Sequence, residues 1–136
     1  MTCPHCASSV VVFAVPSTLH EHAPAPETAI CTGCLRTFAA IEAGEAETRA
    51  VDASGESSTP DFSSVDPAFP SGEAGVALAL LCGCLESFAL NRQSIEALVE
   101  HAERSGADVF AFLERLDAAD AAFDLDRRRT ALLDLL

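Results

Sequence analysis

Apolar runs separated by short polar breaks fill the second half of the chain. The longest uncharged apolar run covers residues 74–85 and lies inside a predicted helix at about residues 72–90. Breaks at Asn91, at Gly106 with Asp108, and at Asp124 combine residue types that end helices with residue types that cap helix N-termini. The pattern therefore predicts four helices, and their short connections favour antiparallel neighbours in a bundle.

The first 41 residues follow a different pattern, with a β-branched apolar stretch at residues 8–15 that predicts a strand. Shorter extended pieces are predicted at residues 29–30 and 35–41. Residues 42–60 are acidic, polar and rich in small side chains, and they bury too little apolar surface to fold by themselves. We therefore predict an α+β chain with a small N-terminal β ribbon at residues 1–41, an acidic flexible linker at residues 42–60 and a helical domain at residues 61–136.

Two pairs of cysteines carry the strongest chemical signal in the first half. Cys3 and Cys6 form one CxxC motif, and Cys31 and Cys34 form a second one after 24 intervening residues. Each motif can fold into a tight knuckle with two thiolates, and zinc takes four ligands in a tetrahedron. The sequence therefore predicts a zinc ribbon at residues 1–41 with one structural zinc ion bound by all four thiolates. Such a closed site leaves no position for a reacting water molecule.

Other interpretations of these cysteines are open. Two disulfides would use the same four residues, although a reducing cytoplasm disfavours them. The sequence Cys-Pro-His-Cys at residues 3–6 also occurs in periplasmic disulfide oxidases, where a strand leads into the motif, but no strand pattern leads into this one. His5, His20 or His22 could replace one cysteine as a zinc ligand, although four thiolates already complete the site.

The charge and composition indicate adaptation to a saline environment, and they carry little information about a binding partner. Among the 136 residues, 21 are acidic and 8 are basic, which gives a formal charge of -13, and all eight basic residues are arginine. Acidic surfaces stay hydrated in near-molar salt, where a screening length of about 3 Å suppresses their repulsion. The composition is typical of cytoplasmic proteins from salt-loving archaea. We therefore expect a halophilic, archaeal, cytoplasmic protein whose acidity says little about its partners.

No membrane-spanning segment is predicted. The run at residues 74–85 would be about 18 Å long as a helix, whereas a bilayer core needs about 30 Å. The chain also does not open with the charged-then-apolar leader that directs secretion, which agrees with a cytoplasmic location.

A row of small residues marks the first predicted helix. Small side chains at every fourth position let another backbone approach one face closely. The helix is apolar on nearly all sides, which is typical of the central helix of a bundle, and a homodimer through residues 72–90 is the alternative. The predicted helix-packing interface consists of Gly75, Ala79, Gly83 and Ser87.

Cys82 and Cys84 lie in the same predicted helix. Residues two positions apart on a helix point about 200° apart, so these thiols cannot bind one metal ion while the helix persists. We expect them to pack as small apolar side chains, with a redox-sensing role as the alternative.

One cluster of basic residues stands out, at Arg127, Arg128 and Arg129. On a helix these side chains spread over about 200° of the surface, so they are expected to pair with nearby acidic residues. The functional alternative is an anion contact site, which Arg36 beside the second CxxC motif would extend.

Several local motifs resemble a known group of proteins. The chain has a CPxC motif at residues 3–6, an apolar strand that ends in Val15-Pro16, a CxxCLR motif at residues 31–36 and Leu90-Asn91-Arg92 in a helical segment. In these features it resembles small haloarchaeal zinc-ribbon proteins of unknown function. The resemblance implies a bound zinc ion and a halophilic origin, and it implies no activity.

We expect a non-catalytic zinc protein, because the sequence has no local Ser-His-Asp set, no phosphate-binding glycine loop and only dispersed carboxylates. The first hypothesis is a protein–protein adaptor or regulator. The second is a nucleic-acid-associated zinc ribbon of transcription or translation, although Phe13 and Phe38 are the only large rings near the knuckles and no basic stripe is present. The third is a thiol-based redox sensor.

Overall fold

A small antiparallel sheet precedes the helices in this chain. A computed structural model describes residues 3, 7–43, 62, 65–70, 72–116 and 124–135. The architecture is α+β, which confirms the predicted fold class, and the sheet has the order β1-β2-β3. Its strands are β1 (Val10–Ala14), β2 (Glu27–Cys31) and β3 (Thr37–Ala39).

The register of the sheet brings the start of β1 to the end of β2. Val10, the first residue of β1, pairs with Cys31, the last residue of β2. β1 is rich in β-branched and aromatic side chains, and β2 contributes Thr28 and Ile30; such side chains fit a pleated surface. Because Cys3 comes shortly before β1 and the second CxxC motif begins at Cys31, Cys3 and the second motif lie toward the same end of the sheet.

Four α-helices follow the sheet among the described residues, as the sequence predicted. They are α1 (Gly72–Leu85), α2 (Arg92–Arg104), α3 (Val109–Arg115) and α4 (Leu125–Leu135). Short 3-10 helices cover Ser17–His22, Ala40–Ala43 and Phe88–Asn91.

Local side-chain chemistry fixes several helix ends. Gly106 adopts a φ of +98°, a left-handed conformation that favours glycine, directly after α2. Asp108 caps α3 by accepting a hydrogen bond from the Ala111 N–H at 3.1 Å. Asp124 accepts a hydrogen bond from the Arg127 N–H at 3.2 Å and caps α4 in the same way. These three ends agree with the breaks predicted from the sequence.

The first helix is shorter than predicted. It ends at Leu85 rather than near Leu90, and a 3-10 helix covers Phe88–Asn91. The Asn91 side-chain amide donates to the Ser87 carbonyl oxygen at 3.0 Å, so Asn91 stabilises this turn and its side chain does not cap α2. An apolar pattern cannot distinguish the two helix types over one turn, because both keep the same side chains on the inner face.

One apolar core joins the sheet to the helices. Eleven of the fourteen α1 residues are buried, and α1 packs against α2 and β3. The Phe13 ring of β1 lies 5.2 Å from the Phe62 ring, which stacks at 5.6 Å on Phe69. Phe69 in turn lies 4.8 Å from Phe112 of α3. The described parts of the ribbon and of the helical domain therefore share this core.

Two glycines of α1 permit close approach by a strand and by the turns of the segment before the helix. A Cβ atom at Gly83 would overlap the side chain of Thr37 in β3. A Cβ atom at Gly75 would overlap the Pro70 carbonyl oxygen and press on the Phe62 ring. Both positions therefore require glycine for steric reasons.

The structure corrects which elements pack on the predicted helix-packing interface of α1. The groups closest to Gly75 and Gly83 belong to no other α-helix, because β3 and the segment before α1 occupy those positions. Ala79 is fully buried, whereas Ser87 lies beyond the end of α1 and is exposed. The homodimer through residues 72–90 stays a prediction, and the burial of α1 within one chain agrees better with a central helix.

Residues 44–60, which make up most of the predicted acidic linker, lie outside the described residues. The preceding residues 42–43 end the short helix at Ala40–Ala43. In the described part of the chain, no helix combines the length and the apolar character that crossing a membrane requires.

Candidate metal centre

The second CxxC motif forms a tight loop at the end of β2. The backbone N–H groups of Gly33 and Cys34 donate to the Cys31 sulfur at 3.2 and 3.3 Å. The Cys31 N–H donates to the Arg36 carbonyl oxygen at 2.9 Å and closes the loop. Leu35 adopts a φ of +64°, which is costly for a residue other than glycine, and its side chain is buried in the core. Packing of Leu35 thus helps to hold the loop in a strained conformation.

The loop that begins at the first motif has the same closing geometry. The Cys3 N–H donates to the Ser8 carbonyl oxygen at 2.8 Å, just as Cys31 donates to the residue five positions after it. Ala7 has a φ of +66° and occupies the position that Leu35 occupies in the second loop. The described ends of the two loops therefore match.

Hydrogen bonds across the sheet hold the two loops side by side. The Thr32 N–H donates to the Ser9 carbonyl oxygen at 3.0 Å, and the Thr32 hydroxyl donates to the same oxygen at 2.9 Å. These bonds extend the β1–β2 pairing past its last strand residue, so the second loop is fixed beside the first.

Cys3, Cys31 and Cys34 form one buried cluster. Their sulfur atoms all lie within 4.8 Å of one another, and the Cys3 and Cys34 sulfurs are 3.8 Å apart. Tetrahedral zinc with Zn–S bonds of about 2.3 Å requires sulfurs about 3.8 Å apart, whereas a disulfide bond is only about 2.05 Å long. The cluster could hold a metal ion. The structure thus brings three of the four predicted ligands together, and the fourth, Cys6, lies outside the described residues.

Burial raises the pKa of one thiol of this cluster, that of Cys34. Desolvation is the largest effect and raises the pKa of the Cys34 thiol to about 12; a hydrogen bond from the Arg36 N–H lowers it, and the neighbouring thiols of Cys31 and Cys3 raise it. A thiol with this pKa is protonated at neutral pH, so a metal ion must displace the proton when it binds. Metal affinity is therefore expected to increase with pH through the neutral range.

An arginine joins the cluster to the end of α1. The Arg36 Nε donates to Oε2 of Glu86, in the turn after α1, at 2.9 Å. This hydrogen bond raises the pKa of Arg36, and the electrostatic interactions with Glu86, Cys34 and Cys3 raise it further. Arg36 therefore interacts both with the sulfur cluster and with a carboxylate.

The arginines of the predicted anion contact site are partly engaged. Arg129 pairs with an aspartate one turn earlier on α4 at 3.2 Å. Arg128 donates from Nη2 to the backbone oxygen of Glu86 at 3.5 Å, and its buried Nε has no hydrogen-bond partner among the described residues. Arg127 is exposed. Arg128 and Arg36 thus both contact Glu86. The negative charge of Glu86 therefore lies next to Arg36, which was expected to extend the arginine cluster at residues 127–129.

The described histidines of the ribbon have contacts outside the sulfur cluster. His20 Nε2 lies 2.7 Å from the Val15 carbonyl oxygen, and His22 Nδ1 lies 2.9 Å from Ser94 Oγ. Among the described residues, the cluster of candidate metal ligands contains cysteines alone. The third candidate, His5, lies outside the described residues.

Cys82 and Cys84 are packed inside α1 and are not part of the cluster. Burial raises the pKa of Cys82 to about 12 and the pKa of Cys84 to about 11. Because the thiolate is the reactive form of cysteine, both thiols are poor nucleophiles at neutral pH in the folded chain.

Sequence reasoning missed the residues that hold the loops of the two CxxC motifs in place. Glu86 is 50 positions from Arg36, so no local pattern indicated their pairing. A signal did exist for Ala7 and Leu35, because each directly follows the last cysteine of a CxxC motif, where a knuckle has to turn.

The fold and the cluster define a small α+β protein with a candidate thiol metal centre. Residues 2–136 match the family of unknown function DUF6276, and the chain belongs to that family. No curated protein and no solved structure matches the chain significantly. Because the family match includes the sheet and the four described α-helices, the cysteine cluster and the helices belong to one family unit.

Proposed function

We propose that this chain is a non-catalytic zinc protein that acts as a protein–protein adaptor or regulator in a halophilic cytoplasm. The observation that carries the proposal is the buried cluster of Cys3, Cys31 and Cys34, with a sulfur separation of 3.8 Å that suits tetrahedral zinc. Sites with thiolates alone are typical of structural zinc, and the ion stabilises the fold because it binds only the folded arrangement.

Cys6 is the proposed fourth ligand. It stands in the first motif where Cys34 stands in the second, and the two loops close with the same hydrogen bond between first and sixth residues. Four thiolates leave no open coordination position, so the metal holds the ribbon together and activates no water.

A groove between α2 and α3 supports the choice of a protein partner. Its volume is about 660 Å³, and Ala97, Val99 and Phe110 contribute its apolar lining. A partner that covers this apolar lining would remove it from water, which stabilises a complex. The rim of the groove also carries three glutamates, which favour a partner with arginines beside its apolar side chains: Glu96, Glu100 and Glu103.

The two other hypotheses receive less support from the side chains. Phe13 and Phe38 are both buried, so neither offers a surface on which a nucleic-acid base could stack. The buried, protonated thiols of α1 are unsuited to fast redox sensing.

Metal analysis tests the zinc part of the proposal. Protein purified without added zinc should contain one zinc ion per chain, and Cys31→Ser should lose most of it. Cys82→Ser is the matched control, because that thiol is buried but lies outside the cluster, and it should retain the metal. Wild-type protein without metal, or with iron instead of zinc, would contradict the assignment.

Capture from a native lysate in near-molar potassium chloride tests the adaptor part. The wild-type chain should retain a defined protein that Phe110→Glu loses. Leu133→Glu changes an exposed leucine outside the groove and should retain the partner. Recovery of nucleic acid by all three chains would instead support the nucleic-acid hypothesis.

A further inference from the structure

A thiolate metal centre creates a charge problem in a buried site. Zinc with four thiolates carries a formal charge of about -2, and the three described sulfurs belong to residues that are at most 6% exposed. Buried charge is costly unless opposite charge or hydrogen-bond donors compensate it. The N–H groups of Gly33 and Cys34 supply part of this compensation at the Cys31 sulfur.

Arg36 lies two positions after Cys34 in the same loop, and its positive charge acts on the same sulfurs. Its backbone is held at both ends of the loop, because its carbonyl oxygen accepts from the Cys31 N–H and its own N–H donates to the Cys34 sulfur. Its guanidinium interacts favourably with Cys34 and Cys3 and donates to Glu86 at 2.9 Å. The Arg36 side chain is 30% exposed, so its charge is only partly screened by solvent.

We propose that Arg36 compensates the charge of the thiolate centre and thereby raises its affinity for zinc, while Glu86 orients the guanidinium and opposes this effect with its own negative charge. This inference rests on the proposed zinc site. The proposal predicts that the two members of the ion pair have opposite effects on zinc affinity. The Arg36 charge attracts the thiolates, whereas the Glu86 carboxylate repels them and partly cancels the arginine.

Zinc affinity measured by competition with a chromophoric chelator tests the proposal at constant pH and salt. Arg36→Gln should weaken zinc binding by about tenfold or more, which is the usual range for groups that support metal ligands. Arg36→Lys keeps the charge and should recover part of the affinity. Glu86→Gln should bind zinc at least as tightly as the wild type, and higher ionic strength should reduce every difference.

Arg104→Gln is the matched control. Arg104 forms an exposed ion pair with Glu100 on α2 at 3.0 Å, remote from the sulfurs in sequence and absent from their interactions. Its loss should leave zinc affinity unchanged. Circular dichroism of each zinc-loaded variant checks that the fold is retained.

Equal weakening by Arg36→Gln and Glu86→Gln would overturn the proposal, because the pair would then act only as a clamp between the loop and α1. Wild-type affinity in Arg36→Gln would overturn it as well. Either result leaves the zinc site itself in place, whereas failure of the wild-type chain to bind zinc would refute the proposed function.

Discussion

The cysteines of α1 allow a sharp prediction about stability at alkaline pH, because the chain has no lysine and no tyrosine. Arginine stays protonated below a pKa of about 12, so between pH 9 and pH 11 the side chains that titrate are cysteines alone. Zinc-bound cysteines are already thiolates and do not titrate in the folded protein. Unfolding releases the zinc and lets these thiols titrate, equally in the wild type and in a variant without Cys82 and Cys84. The difference in alkaline response between these two chains therefore reports on Cys82 and Cys84.

The sign and size of the effect follow from the raised pKa values. Burial raises the pKa of Cys82 to about 12 and of Cys84 to about 11, from an ordinary value of 9.0. The folded state holds these protons more tightly than the unfolded state, so the stabilisation is complete below pH 9 and is lost as the pH rises through 11 to 12. At about 1.4 kcal/mol per pKa unit, each thiol costs about 1 kcal/mol between pH 8 and pH 10. The pair should lower the free energy of unfolding by about 2 to 3 kcal/mol.

Denaturant unfolding of zinc-loaded protein is measured at pH 8, 9 and 10, with reductant and with zinc content determined at each pH, for the wild type and for a chain with both Cys82→Ala and Cys84→Ala. The variant loses packing, but the stability of the wild type relative to the variant should fall by about 2 to 3 kcal/mol between pH 8 and pH 10. A stability difference that stays constant with pH would refute the reasoning.

Three further predictions follow from the packing and the charge of the chain. Gly83→Ala should destabilise the fold by about 1 to 3 kcal/mol, because its Cβ overlaps Thr37, and Thr37→Gly in the same chain should recover most of this loss in a thermal melt. Chelation of zinc should lower the melting temperature, and Cys31→Ser should melt at the lower temperature with or without chelator. Duplex DNA should show no measurable binding in an anisotropy titration at near-molar salt, because phosphate contacts weaken steeply with salt; binding that is lost when the arginines at 127–129 become alanine would contradict this.

The features that the sequence predicted well depend on neighbouring residues. Asp108 and Gly106 mark helix ends because a cap and a left-handed turn are formed within a few positions. The cysteine spacing indicates a knuckle for the same reason, and the structure brings Cys31 and Cys34 together inside one short loop.

The features that the sequence did not reveal depend on distant contacts. The row of small residues in α1 correctly indicated close packing, but the group that packs on Gly83 is Thr37, 46 positions earlier. Periodicity shows which face of a helix is crowded and says nothing about the element that crowds it. The pairing of Arg36 with Glu86 is hidden in the same way, because glutamates are common along this acidic chain.

The shared aromatic core restricts how this chain can exchange parts with other proteins. The rings of Phe13, Phe62, Phe69 and Phe112 contact one another in series from the sheet to α3. A foreign zinc ribbon grafted in place of residues 1–41 would keep its own metal loops but would lose the ring that meets Phe62. Recombination at this boundary would therefore give a working chain only if matching changes in the helices accompanied the new ribbon, so the two parts are expected to be inherited together.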